Sequence, residues 1–344
     1  MKIRKMAAMM IAVFLFTGMV QLEAQDDPVA PFVGMWALEL DYENDHAGWL
    51  EVTREDGYID SKILWRWGSV YPIDYSMIFM GNLLLVHGQD VVLEKDLQGN
   101  PLRVQHPIYW FDVEKVESDE IKGSANFPNP DGIELESVSF TGKRIPTHGE
   151  APDLKKIKYG KPVKLFNGKT LEGWELLDPN AVNGWIVSDG VLSNHPVQKE
   201  GQEHISFGNL RTIDTFEDFK LSLEVNVPAG SNSGVYLRGI YEVQVVDSYG
   251  KALDSHNMGG LYSRITPSEA AEKPAGEWQG MEMTLYKRHL TVVLNGKTII
   301  DNQPVKGVTG GAMSADEFVP GPIYLQGDHG AVSYRNIVLT PIVE

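Results

Sequence analysis

The chain has 344 residues, enough for two domains that each bury a core. Its 47 acidic against 30 basic side chains give a net charge of −17, which disfavours nucleic acid and anionic membrane surfaces as partners. Cysteine is absent, so disulfides, thiol nucleophiles, thiolate metal sites and a lipid-modified N-terminal Cys are all excluded.

Residues 1–24 join a basic start (Lys2, Arg4, Lys5) to an apolar run from Met6 to Val20 and a small residue, Ala24. That pattern predicts a cleaved signal peptide and a periplasmic or secreted protein with no membrane span once mature. Its removal takes the net charge to −19, since three cations and one anion leave. Residues 28–146 read as about eight short strands. "GYIDSKILWRW", "SMIFMG", "NLLLVHG", "IYWFDVEKV", "DEIKGSANF" and "IELESVSFTGKR" are aromatic and branched, and Gly, Asn, Asp and Pro separate them. No 3.6-residue apolar period is sustained, so this half is expected to be an all-β barrel or sandwich. Its opening, "PFVGMWALEL", and its end, "FTGKRI", bear a faint similarity to lipocalin-type barrels, where a Gly-x-Trp near the first strand plugs the barrel.

Residues 147–162, mixed in charge and carrying Pro and Gly, read as a linker. From 163 to 344 the pattern is β again. "FKLSLEVNV" alternates strictly, and "MEMTLYKRHLTVVLNGKTIID" predicts a hairpin at Asn295-Gly296, a pair suited to a type I′ turn. "TPSEAAEK", residues 266–273, carries a brief helical signal. These features predict an antiparallel two-sheet sandwich.

The stretch "NSGVYLRGIYEVQVVD", residues 232–247, places chemistry on that sandwich. Burying Val235, Leu237, Val243 and Val245 sends Tyr236, Arg238, Glu242 and Gln244 to the opposite face. If the two strands are adjacent, that parity demands an odd connection, for example Gly239 to Tyr241, because a one-residue slip exchanges faces. Tyr324 and Gln326 extend the face, His329 follows in a Gly-flanked turn, and Glu224 could join from its own strand. Planar donors and acceptors of this kind match vicinal hydroxyls, and rings stack on sugar C–H faces. Asn232-Ser233-Gly234 reads as a turn.

The ordered series "LFNGKTLEGW", "GWIVSDGVL", "FKLSLEV", "NSGVYLRG", "YEVQVVD", "GEWQ", "LNG" and "PIYLQGDHGAVSYRNI" resembles the 3-keto-disaccharide hydrolase domain family over residues of about 161–341. The resemblance implies a concanavalin A-like, glucanase-like sandwich. It also implies an oligosaccharide or glycoside substrate already oxidised at C3 to a ketone. Such a ketone acidifies the C2 proton, so a base can form an enolate that expels the aglycone from C1, and water then adds to the enone. The roles are assigned from face geometry: Glu242 as base, Arg238 for the oxyanion, and His329 as acid or ligand of a divalent cation. Tyr236, Gln244, Gln326 and Glu224 would bind substrate. A divalent cation could stabilise the enolate oxygen, although no ligand motif compels one.

Two other readings compete. Glu224 and Glu242 could form the carboxylate pair of a glucanase-type glycosidase, or the sandwich could bind carbohydrate without cleaving it. His46, His195, His204 and His256 show no metal-ligand spacing and are expected on the surface.

Overall fold

The computed structural model describes residues 27–44, 46–129, 132–198 and 205–343. The expected signal segment and His204 lie outside them. Strands β1 (Gly34–Leu40), β2 (Ala47–Arg54), β3 (Ile59–Trp65), β4 (Tyr71–Pro72), β5 (Tyr75–Phe79) and β6 (Asn82–Gly88) open the chain. They are followed by β7 (Val91–Lys95), β8 (Pro101–Gln105), β9 (Ile108–Glu117), β10 (Glu120–Pro128) and β11 (Leu135–Ile145). All the strands expected from the sequence are present. The additional ones are β2, the two-residue β4 and the pair β7 and β8, which form a separate, exposed hairpin.

The remaining nine of these strands make one sheet in the order β4-β3-β2-β1-β11-β10-β9-β6-β5, an up-and-down meander whose first and last long strands pair. The sheet curls until its two ends meet, with Ser76 on β5 donating to Ser61 Oγ on β3 at 3.0 Å. Inward residues Leu38, Leu50, Ile63, Leu83, Leu85, Phe111, Val113 and Phe140 fill the barrel. Trp36 is fully buried among them; its Nε1 donates to Phe32 O at 2.8 Å and the Arg144 guanidinium lies 4.1 Å from its ring.

The second half begins with a 3-10 turn at Leu154–Lys156, capped by Asp153, and strands β12 (Lys158–Tyr159) and β13 (Val163–Lys164). Next come β14 (Trp174–Leu176), β15 (Trp185–Ser188), β16 (Val191–Asn194), β17 (Leu210–Thr212), β18 (Phe219–Asn226), β19 (Asn232–Leu237) and β20 (Tyr241–Val246). The chain closes with β21 (Trp278–Tyr286), β22 (His289–Leu294), β23 (Lys297–Pro304), β24 (Tyr324–Leu325) and β25 (Val332–Val343). One sheet runs β15-β16-β25-β18-β21-β22-β23, with β12 and β13 paired to β25; the facing sheet runs β14-β17-β24-β19-β20. Each contributes one apolar face: Phe219, Leu221, Leu223, Met281 and Met283 from the first meet Val235, Leu237, Val243 and Leu325 from the second. This is the antiparallel sandwich expected from alternation.

Asn295 and Gly296 both have positive φ, as their hairpin turn requires. At the turn Lys287-Arg288 both residues also take positive φ, without a turn-forming sequence. Residues 266–273 form no helix, as expected of a signal too short for a structural helix: eight residues do not offset the nucleation cost of an isolated helix.

The barrel and the sandwich share packing. Met35, Trp49, Leu64 and Ile145 belong to the same apolar cluster as the sandwich core. The Trp49 ring lies so close to Gly307 that a Cβ there would sit 2.2 Å from Cδ1, and Arg264 covers the ring at 4.0 Å. Val70 N donates to Ser263 Oγ at 2.8 Å across the same boundary.

Candidate active site

Strands β19 and β20 pair with Val235 opposite Val243, Tyr236 opposite Glu242 and Leu237 opposite Tyr241. The connection is therefore three residues, Arg238 to Ile240, and the required parity is kept. It lies one residue earlier than Gly239 to Tyr241. Arg238 and Gly239 take positive φ, and Ile240 N donates to Leu237 O at 3.2 Å.

That single position moves Arg238 off the strand. Its guanidinium donates to Glu317 O at 2.8 Å and, through Nε, to Val319 O at 3.1 Å, so it clamps the 317–319 loop instead of joining the face of Glu242. The expectation that Arg238 shares that face is corrected accordingly. Asn232, Ser233 and Gly234, read as a turn, are the first residues of β19.

On the outer face of the five-stranded sheet the register lines up Glu175, Arg211, Tyr324, Tyr236 and Glu242, one from each strand. Arg211 Nη2 donates to Glu175 Oε1 at 2.7 Å. The rings of Tyr324 and Tyr236 stack with centroids 4.2 Å apart and planes at 11°. Tyr236 Oη lies 2.9 Å from Glu242 Oε2. Beside this row stand Gly234, Gln244 and Gln326. Gly234 leaves the space the carboxyl fills, because a Cβ there would lie 2.3 Å from Glu242 Oε1. Oriented by its neighbours, the Gln244 amide donates to Glu242 Oε1 at 3.3 Å and to Ser233 O at 3.1 Å. Gln326 is 7% exposed and its Oε1 has no hydrogen-bond partner among the described residues. The structure thus brings Tyr236, Glu242, Gln244 and Gln326 together.

Glu242 is 3% exposed, and this burial pushes its carboxyl up to about 8. Tyr236 and His329 oppose the rise, while the charge of Asp328 adds to it. Proton counting agrees with a raised value. The Tyr236 hydroxyl faces two acceptors, Glu242 Oε2 and, at 2.8 Å, Gly310 O, but carries one proton. When it donates to Gly310 O, Glu242 completes the network by being protonated and donating to Tyr236.

His329 is half exposed. Its Nδ1 lies 2.7 Å from Asp328 Oδ1, and this contact raises the pKa of the imidazole. Asp328 lines a 590 Å³ cleft whose sandwich wall includes Asp178, Asn180, Asn209, Gly311 and Met313. The opposite wall is made by Asn44 and His46 from the β1–β2 connection of the barrel. Gly311 joins the cleft to the buried row, since a Cβ on it would lie 2.9 Å from Tyr236 Oη. Sequence reasoning missed Asp178, Asn180, Asn209, Asn44 and His46 as cleft residues: each lies in a connection, and only the packing of barrel on sandwich brings them together. Of residues able to hold a divalent cation, Asp328 and His329 stand side by side, and no cluster of three or more His, Asp or Glu forms among the described residues.

Glu224 is elsewhere. It sits on β18 of the other sheet, facing outward, and accepts from Arg335 Nε at 2.7 Å and Asn336 Nδ2 at 2.6 Å. Arg335 holds its carboxyl below the usual range. The expectation of Glu224 at the site is corrected: β18 belongs to the facing sheet, and its even-numbered residues point away from the shared core. With sheets stacked about 10 Å apart and both side chains directed outward, Glu224 and Glu242 cannot flank one glycosidic bond.

Comparison with known proteins adds an independent finding. Residues 161–340, just over half of the chain, match the profile of the 3-keto-alpha-glucoside-1,2-lyase-like domain. Over 168 residues the chain is 26% identical to a 3-keto-disaccharide hydrolase of Bacteroides thetaiotaomicron, covering 40% of this chain and 57% of that protein. The chain therefore spans little more than half the length of this curated relative. Two crystal structures of candidate glycosyl hydrolases from Parabacteroides distasonis also match. One has 27% identity and a TM-score of 0.43, covering 56% of this chain and 93% of the other. The second has 26% identity and a TM-score of 0.40, covering 53% and 100%.

Proposed function

Because the chain belongs, through residues 161–340, to the 3-keto-alpha-glucoside-1,2-lyase-like domain family, we propose that it cleaves glycosides whose C3 hydroxyl has been oxidised to a ketone. The observation that carries the reading is Glu242: a buried carboxyl poised near pH 8, beside a polar cleft. A base works best when its pKa lies near the working pH.

In this reading Glu242 removes the C2 proton, and the electron pair of that bond becomes the C2–C3 double bond of an enolate. The enolate reforms the C3 carbonyl, the C1–C2 double bond forms, and the C1–O bond breaks. His329, whose hold on its proton the Asp328 contact strengthens, gives that proton to the departing oxygen. Water adds at C1 and the proton returns to C2, so the sum is hydrolysis. Tyr236 shares the proton of Glu242, Gln244 spends both of its N–H groups on Glu242 and Ser233 O and so orients the base, and the amide N–H of Gln326 serves the enolate oxygen. Should a divalent cation bind, Asp328 and His329 would hold it, and it would supply a positive charge for the enolate oxygen. Export through residues 1–24 would place this activity in the periplasm or outside the cell.

Glu242→Gln tests the assignment. The variant is expected to lose about 10²- to 10⁴-fold in kcat on a 3-keto glucoside. Full activity in the variant would remove Glu242 as the base.

A further inference from the structure

We propose that the barrel forms the subsite for the leaving group, and that Asn44 and His46 discriminate a second sugar ring from a small aglycone. The inference rests on the reading of the cleft as the glycoside site. The cleft draws its lining from both halves: Asp178, Asn180, Asn209 and Asp328 on the sandwich side, and Asn44 and His46 on the barrel side. Asp328 and Gly311 are the lining residues that adjoin the buried Glu242 row, so the reacting ring lies against the sandwich wall. The barrel wall is then left to the group leaving from C1.

Three observations make that wall a built feature. The hairpin carrying it is held by β1 and β2, with Leu40 N donating to His46 O at 2.7 Å. The barrel end is fixed on the sandwich next to the cleft, where Gly311 N donates to Arg66 O at 3.2 Å and a Cβ on Gly310 would meet Gly68 O at 2.2 Å. Finally, the side chains of Asn44 and His46 make no hydrogen bond or ion pair with another described residue, so their donors and acceptors remain for a ligand. An amide and an imidazole facing two carboxylates and two further amides match hydroxyl groups better than an aromatic or alkyl aglycone.

The test compares wild type with an Asn44→Ala, His46→Ala double variant on methyl 3-keto-glucoside and on a 3-keto disaccharide. Two lost hydrogen bonds predict a fall of about 10- to 100-fold in kcat/KM for the disaccharide, carried by KM, with the methyl glycoside changed less than about twofold. Equal losses on both substrates, or none, would overturn the inference. Calorimetry with the unoxidised disaccharide and methyl glucoside provides a readout that needs no turnover. Wild type is expected to bind the disaccharide more tightly and the variant to lose that preference; equal binding by wild type and variant overturns the inference. If wild type cleaves neither keto substrate yet shows the preference, the proposed reaction fails while the barrel subsite stands.

Discussion

Glu242 concentrates the unusual chemistry of the molecule, and its environment makes two behaviours testable. In the folded protein it keeps its proton up to about pH 8, whereas an exposed Glu releases it near 4.5. Between those values the folded form binds the extra proton, so stability falls as pH rises and the loss is complete above about 8. Denaturant unfolding at pH 5 and pH 9 should show wild type losing on the order of 4 kcal/mol from this group, and Glu242→Gln should lack that slope. Catalysis should run the other way, with kcat/KM rising through about pH 8 because the base must be ionised. Gly234 is the second decisive residue: Gly234→Ala drives a methyl group into Glu242 Oε1 and should cut kcat at least tenfold in a protein that still unfolds cooperatively.

At the scale of elements, the hairpin β19–β20 shows how far alternation reaches. Val235 and Val243 fixed which face is buried, and that assigned Tyr236, Glu242 and Gln244 correctly to the opposite face. The exact start of the turn did not follow, because Arg238 pays for its positive φ with hydrogen bonds to a loop some 80 residues away in sequence. Glu224 was misplaced for a related reason: alternation says that it points out, but not from which sheet. The clamp itself is measurable. Arg238→Ala should destabilise the fold by about 1.5–3 kcal/mol through the carbonyls of Glu317 and Val319, while C2 proton exchange of a keto sugar persists in the folded fraction. Loss of exchange at full stability would return Arg238 to the chemistry.

For the whole molecule, the second half was legible because its strands announce both faces of a sandwich, and the first half as all-β, with barrel and sandwich both open, because its short strands are punctuated by turn residues. The cleft was not, since no periodicity connects Asn44 and His46 with Asn209 and Asp328. Trp49 joins the two bodies, and Trp49→Ala should cost about 3–5 kcal/mol in denaturant unfolding by opening a cavity against Gly307 and Arg264. The most direct measurement for the central claim follows a 3-keto glucoside and its unoxidised parent by NMR in deuterated buffer with the purified protein. The account predicts cleavage of the keto sugar alone, with deuterium entering at C2. Cleavage of the parent, or cleavage of the keto sugar with its C2 proton retained, would contradict it.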